Sequence, residues 1–174
     1  MRPVRRRLLA AFGSTVYFCV APGVVVGAGP WLVTRWQMRE PFPYYLPVRV
    51  VGLLLLVSAV GFLVAAFARF VLEGLGTPAP VAPTAQLVVG GAYRFVRNPM
   101  YLAVVAAIAG QALWLGRPVL LGYAAAIAGL QAAFVRFYEE PALRRRYGAG
   151  YDAYRAAVPA WWPRGLPGRG RRVR

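Results

Sequence analysis

Histidine is missing altogether, cysteine occurs once, at Cys19, and only five of the 174 residues are acidic. Without histidine there is no Ser-His-Asp triad and no imidazole general base. A single thiol forms no disulfide within the chain, and with no imidazole a His/Cys zinc site is excluded. Lysine is missing too: all 21 basic residues are arginine, and the net charge is +16. In a soluble domain such a charge suits nucleic acid. Here 59% of the residues are hydrophobic, they gather in long runs, and the arginines flank those runs. That distribution points to a membrane protein whose cations face anionic head groups and set topology, with no nucleic acid and no metal among its expected partners.

Four apolar runs predict an all-α polytopic membrane protein with about four transmembrane helices. The first, Leu8 to Val33, follows Arg2, Arg5, Arg6 and Arg7, and is too long for the apolar core of a signal peptide. A bend or loosening is expected in it around Ala21-Pro22-Gly23. The second is Leu46 to Leu72, with Arg49 and Arg69 near its ends, where they can snorkel to the head groups. The third is short, Pro99 to Leu115, and spans roughly 25 Å at 1.5 Å per residue. The fourth is Val119 to Tyr138. Gly116-Arg117-Pro118 leaves room only for a tight turn, so the last two runs form a C-terminal helical hairpin.

The arginine distribution orients the chain in the cytoplasmic membrane with both termini inside. The N-terminal arginines, Arg94 and Arg97, and Arg144 to Arg174 then share the cytoplasmic side, leaving Arg35, Arg39, Arg49 and Arg117 outside beside the aromatic PFPYYLP segment. Residues 1–174 read as a single membrane domain. Residues 1–72 make a two-helix N-terminal part, 73–163 a core, and 164–174 a basic disordered tail. The Gly- and Pro-rich connector from Glu73 to Asn98 is long for a link between packed helices, a length associated with function.

Two polar clusters bracket the hairpin. Arg97-Asn98-Pro99 precedes the third run: Asn is a favoured N-cap and Pro a favoured first helical residue, and a helix start at the membrane surface also suits an anionic group. Tyr101, one turn in, serves either as an interfacial anchor or as a ring on which a base stacks. Glu139 and Glu140, the only adjacent acids, end the fourth run. They either pair with Arg136 or Arg144 along the helix or accept hydrogen bonds from a ligand. Tyr147, Tyr151 and Tyr154 lie at i, i+4 and i+7, which predicts a cytoplasmic amphipathic helix with an aromatic face on the inner leaflet. Because the hairpin is antiparallel with a minimal turn, Asn98 and Glu139 must lie at the same membrane face.

LVVGGAYRFVRNPMY (Leu87 to Tyr101) followed by YEEPALRRRYGAGYDAYRAAVP (Tyr138 to Pro159) resembles the integral-membrane methyltransferases related to isoprenylcysteine carboxyl methyltransferase, over roughly the second half of the chain. The resemblance implies S-adenosyl-L-methionine as methyl donor and a lipid or lipidated acceptor arriving from the bilayer. It assigns donor binding to Tyr93, Asn98, Pro99, Met100, Tyr101 and Glu139, and to an upstream loop at Gln86, Leu87 and Val88. Arg136 and Glu140 are the catalytic candidates, Arg136 or Arg97 meeting an acidic acceptor group and Glu140, Tyr101 or water taking a proton from an amine. The sequence departs from the family at two points. Its Arg-His-Pro is Arg-Asn-Pro here, so Asn98, which cannot titrate, stands for the histidine. The arginine that eukaryotic carboxyl methyltransferases carry four residues before the glutamate is Val135, with Arg136 beside it. Asn-Pro-Met-Tyr and Tyr-Glu-Glu-Pro also resemble phosphatidylethanolamine N-methyltransferases, which imply an amine acceptor. Membrane sterol reductases, with a nicotinamide cofactor, and a non-enzymatic membrane scaffold are the further readings.

Overall fold

The computed structural model describes residues 20–72, 87 and 89–163, with backbone alone over 67–72. The start of the first run, most of the connector and the basic tail fall outside these residues. The described residues are helical, with no strand among them. Helix α1 covers Val20–Thr34 and α2 covers Leu46–Leu72. A 3₁₀ turn, Gly91–Arg94, precedes α3, Pro99–Leu115. Helix α4 runs over Val119–Tyr147, nine residues beyond the apolar run that predicted it, because Glu140-Pro141 occupies a helix-compatible position and the arginines that follow keep helical backbone. Helix α5 is Ala149–Ala157.

Two helical segments, Leu46–Ala66 and Val119–Tyr147, are long and apolar enough to cross a membrane. Their outer faces are apolar yet uncovered: Leu54 is 62% exposed, Val57 61% and Leu130 67%. Surfaces of that kind belong in lipid rather than water. The core lies on the other side of these helices, around α3. Ala107 and Ile108 are fully buried there, and Val104, Ala112 and Leu115 pack with Leu63 of α2 and Leu120 and Ala124 of α4.

Lipid tails are as apolar as leucine, so helices associate in a bilayer through close packing and polar contacts rather than through burial from water. Both devices occur. A Cβ on Gly110 would meet the Leu56 amide nitrogen at 2.7 Å and the Gly52 carbonyl at 2.9 Å, so α2 and α3 touch backbone to backbone through two glycines. The polar device follows from Pro30. Residues Gly23–Ala28 form a π-helical turn that starts within Ala21-Pro22-Gly23, where a bend or loosening is expected. Pro30 has no N–H to offer the carbonyls four and five residues before it, Val26 and Val25. Gln111 of α3 donates its amide to the Val26 carbonyl at 2.7 Å, and the Tyr123 hydroxyl of α4 donates to Val25 at 3.0 Å. The deficit left by the proline is thus met by two neighbouring helices, which ties α1 to the hairpin.

The hairpin turn is a Schellman motif. Gly116 is left-handed (φ 65°), the Arg117 N–H bonds the Ala112 carbonyl at 2.9 Å, and the Gly116 N–H reaches Leu113 at 3.4 Å. A side chain at Gly116 would overlap the Arg39 carbonyl, while the Arg39 N–H bonds Leu115 at 2.8 Å. The turn is therefore tight and clamped, and α3 and α4 run antiparallel from it. Their other ends, Asn98 and Glu139, come out together.

Candidate active site at the start of α3

The backbone of α4 decides which side chains enter the site. Between Val135 and Glu139 the helix widens into a π turn, and the Glu140 N–H bonds the Val135 carbonyl five residues back. In an uninterrupted α-helix Glu139 would stack beneath the buried Val135. The extra residue brings Glu140 there instead, leaves Phe137 80% and Tyr138 51% exposed, and turns both acids toward α3.

Glu140 meets Arg97. Arg97 Nη1 donates to Oε1 at 2.7 Å, and the two side chains are only 11% and 12% exposed. Arg155 of α5 approaches the other oxygen at 3.8 Å, and Arg97 Nη1 also donates to the Tyr151 hydroxyl at 3.3 Å. Pairing along the helix, between the acids and Arg136 or Arg144, does not occur. Arg144 instead pairs with Asp152 at 3.0 Å, and Arg136 is exposed, away from this cluster. The π turn is the reason: it rotates the acids to the inner face while Arg136 stays on the outer one. An acidic acceptor group would therefore find Arg97 already engaged.

Glu139 meets Tyr101, whose hydroxyl donates to Oε2 at 2.8 Å. Tyr93, from the 3₁₀ turn, lies within electrostatic reach of Glu139. Burial above all, and then the Glu139 and Tyr154 charges, push its hydroxyl far above the ordinary phenol range, so Tyr93 is a neutral donor.

Asn98 opens α3 but does not cap it through its side chain. With φ −122° and ψ 51° it lies outside the extended geometry of a capping residue. Its amide instead donates across to the Ala160 carbonyl at 3.2 Å, while the Arg97 N–H bonds Pro159 at 2.9 Å. Residues Val158–Trp161 thus form a strap over the start of α3, with the Trp161 ring 6.4 Å from that of Tyr101. Pro99 is buried beside Asn98 and Met100 half-buried against the core. Leu87 is half-buried, and Gln86 and Val88 lie outside the described residues.

Helix α5 turns its tyrosines inward. Gly148 (φ 52°) breaks the chain direction after α4, so Tyr147 does not share a face with the other two. Tyr151 is 2% and Tyr154 8% exposed, and the Tyr154 hydroxyl donates to the Tyr93 carbonyl at 2.8 Å. The aromatic face expected on the inner leaflet covers protein instead, because the hydroxyls find Arg97 and a backbone carbonyl there.

The strap, Arg155 and the widened turn escaped the sequence reading. Pro159 and Pro163 around Ala-Trp-Trp signal an extended stretch, but nothing local shows where it docks. The arrangement as a whole is a half-buried carboxylate held by Tyr101, with Tyr93 and Trp161 beside it and a helix start behind it. Such a site suits a ligand bearing a cation, a diol and an aromatic base.

A family model for phospholipid methyltransferases matches residues 48–150. The chain belongs to the phospholipid methyltransferase family. The matched region begins in α2 and ends at the start of α5, so it includes Arg97, Asn98, Tyr101, Glu139 and Glu140 but stops short of Tyr151, Tyr154 and the strap. Neither the curated proteins nor the solved structures give a match. Membership makes the protein a membrane methyltransferase of the kind that acts on lipids, and the carboxylate, hydroxyl and aromatic groups at the start of α3 fit S-adenosylmethionine, the donor that such families generally use.

Proposed function

We propose that this protein is an S-adenosylmethionine-dependent methyltransferase that methylates a carboxylate on a lipid-like acceptor, in the manner of isoprenylcysteine carboxyl methyltransferases. The observation that carries the proposal is the 2.8 Å bond from Tyr101 to Glu139, which joins the start of α3 to the widened turn of α4 and fixes a carboxylate in the site. Bound there, S-adenosylmethionine supplies an already activated methyl group. The chain then mainly orients and excludes water. Glu139 accepts from a ribose diol or faces the cationic end of the donor beside Tyr101, while Asn98, Pro99 and Met100 at the start of α3, with Leu87 and Tyr93, complete the enclosure.

The acceptor preference rests on Glu140. Its carboxylate is already engaged by Arg97 at 2.7 Å and approached by Arg155 at 3.8 Å. A carboxylate acceptor needs no base. Arg136, exposed on the outer side of α4 beside Phe137 and Tyr138, is the cation suited to guide an acidic lipid group from the bilayer. The amine reading, phosphatidylethanolamine-type N-methylation, is favoured by the family model itself, with Glu139 in place of Glu140 as proton acceptor. We place the chain in the cytoplasmic membrane as one domain crossing it about four times, with both termini and the site inside, as the arginine distribution supports.

Calorimetry with S-adenosylhomocysteine tests the site. Glu139→Ala should weaken binding at least tenfold, about 1.4 kcal/mol, with helicity retained; unchanged affinity refutes the role of Glu139. A scaffold protein would not bind at all, and a reductase would respond to a nicotinamide instead. Labelled donor in membranes separates the acceptors, since a methyl ester is alkali-labile and a methylated lipid amine is not.

A further inference from the structure

The end of the helix bundle opposite Asn98 holds a second charged cluster. Arg35, Arg39, Arg49 and Arg117 gather there against one acid, Glu40, among the described residues. The Arg39 carbonyl is their common point: it lies against Gly116, next to Arg117, and Arg49 Nη2 approaches it within 3.4 Å. Glu40 neutralises little, since it is 3.5 Å from Arg49 and 71% exposed, whereas the Arg49 side chain is only 23% exposed.

Two donors in this cluster are shielded and unsatisfied. Arg49 Nε and Arg117 Nη1 are both buried with no hydrogen-bond partner. A guanidinium nitrogen withdrawn from water without an acceptor is costly, and native structures seldom leave one so. The surroundings say what supplies the acceptor. Trp36, Phe42 and Tyr44 are 54%, 52% and 94% exposed around the cluster, and Arg35 lies 4.2 Å over the Trp31 ring. Exposed aromatics and arginines at the end of a transmembrane helix mark the head-group layer. In that layer the abundant acceptor is the phosphate of a lipid, and arginine forks bind phosphate oxygens in pairs.

We infer that Arg49 and Arg117, with Arg39 at the rim, form a binding site for the phosphate of an anionic phospholipid at the face opposite the methyl-transfer site. Binding turns the Arg49 and Arg117 forks outward onto the phosphate, which gives Arg49 Nε and Arg117 Nη1 the acceptor they lack and bridges the start of α2 to the α3–α4 turn. The lipid is a structural ligand rather than a substrate, because a helix about 25 Å long separates it from Glu139.

The test uses the full chain in neutral detergent micelles doped with phosphatidylglycerol or, at the same mole fraction, phosphatidylcholine. Thermal unfolding and native mass spectrometry give the readouts. Phosphatidylglycerol is expected to raise the midpoint and remain bound, and phosphatidylcholine to do neither. Arg49→Gln with Arg117→Gln should weaken retention by about tenfold or more. Arg145→Gln, which removes an exposed cation at the other end of the bundle, should leave retention intact. If the double variant does not fold, Arg117→Lys keeps the charge, loses the fork and should show a partial loss. Retention unchanged in the arginine variants overturns the site, and so does an equal loss in Arg145→Gln, which would mean diffuse charge. A midpoint rise from inorganic phosphate equal to that from phosphatidylglycerol overturns the assignment to a lipid.

Discussion

Glu140→Gln separates a built ion pair from an accidental one. At 2.7 Å and an effective dielectric of about 20, the Arg97–Glu140 attraction is roughly 6 kcal/mol before desolvation. Both side chains are nearly nine-tenths covered, so desolvation cancels half or more of it. Arg155, at 3.8 Å and 42% exposed, adds little. Glutamine keeps an oxygen for Arg97 but leaves the guanidinium, whose Nε already lacks a partner, as an uncompensated buried charge. The expected loss of stability is about 2–3 kcal/mol. Reversible unfolding in mixed detergent micelles, followed by tryptophan fluorescence, measures it. The diagnostic variant is a double one: Arg97→Met with Glu140→Met should cost less than Arg97→Met and Glu140→Met summed, giving a coupling of about 2 kcal/mol or more. Additivity of the two single changes within about 0.5 kcal/mol would show that the pair carries no coupling and that the reasoning is wrong.

Further expectations follow from other parts of the structure. Tyr101→Phe removes the hydroxyl that orients Glu139 and should weaken S-adenosylhomocysteine about fivefold to tenfold while leaving the fold intact; an affinity equal to wild type counts against the 2.8 Å bond as a positioning device. Gly110→Leu forces apart the backbones of α2 and α3 and should cost more than about 3 kcal/mol in the same unfolding assay, a prediction that fails if the variant melts normally. Tyr123→Phe strands the Val25 carbonyl beneath Pro30 and should cost about 1–2 kcal/mol, whereas a surface change such as Leu130→Val costs nearly nothing. Tyr93, Tyr151 and Tyr154 have hydroxyls raised above the ordinary 10.0, chiefly by burial. The unfolded chain therefore ionises first, so their contribution is complete below about pH 10 and is lost as pH rises beyond it. Alkaline titration of stability should be flat up to that point and fall above it, and a stability that increases there would contradict the burial of these phenols.

Much of the architecture is decided by the linear sequence. The apolar runs mark the helices, Pro22-Gly23 the loosened turn and Gly116-Arg117-Pro118 the hairpin, because these features act over a few residues through backbone geometry and helix period. The convergence of Asn98 and Glu139 follows from the hairpin alone. Local pattern does not carry the phase of α4: one extra residue between Val135 and Glu139 exchanges which acid stacks beneath the core, and hence sends Glu140 to Arg97 and Arg136 outward. Nor does it show that Pro159 to Trp161 crosses the start of α3 or that Tyr151 and Tyr154 turn inward, since each depends on hydrogen-bond partners more than fifty residues away in the chain. Residue types and spacing determined the helices and the ends at which chemistry gathers. Only the packed structure decided which side chains face one another, because hydrogen bonds and ion pairs between distant segments select a helical phase that no single helix prefers by itself.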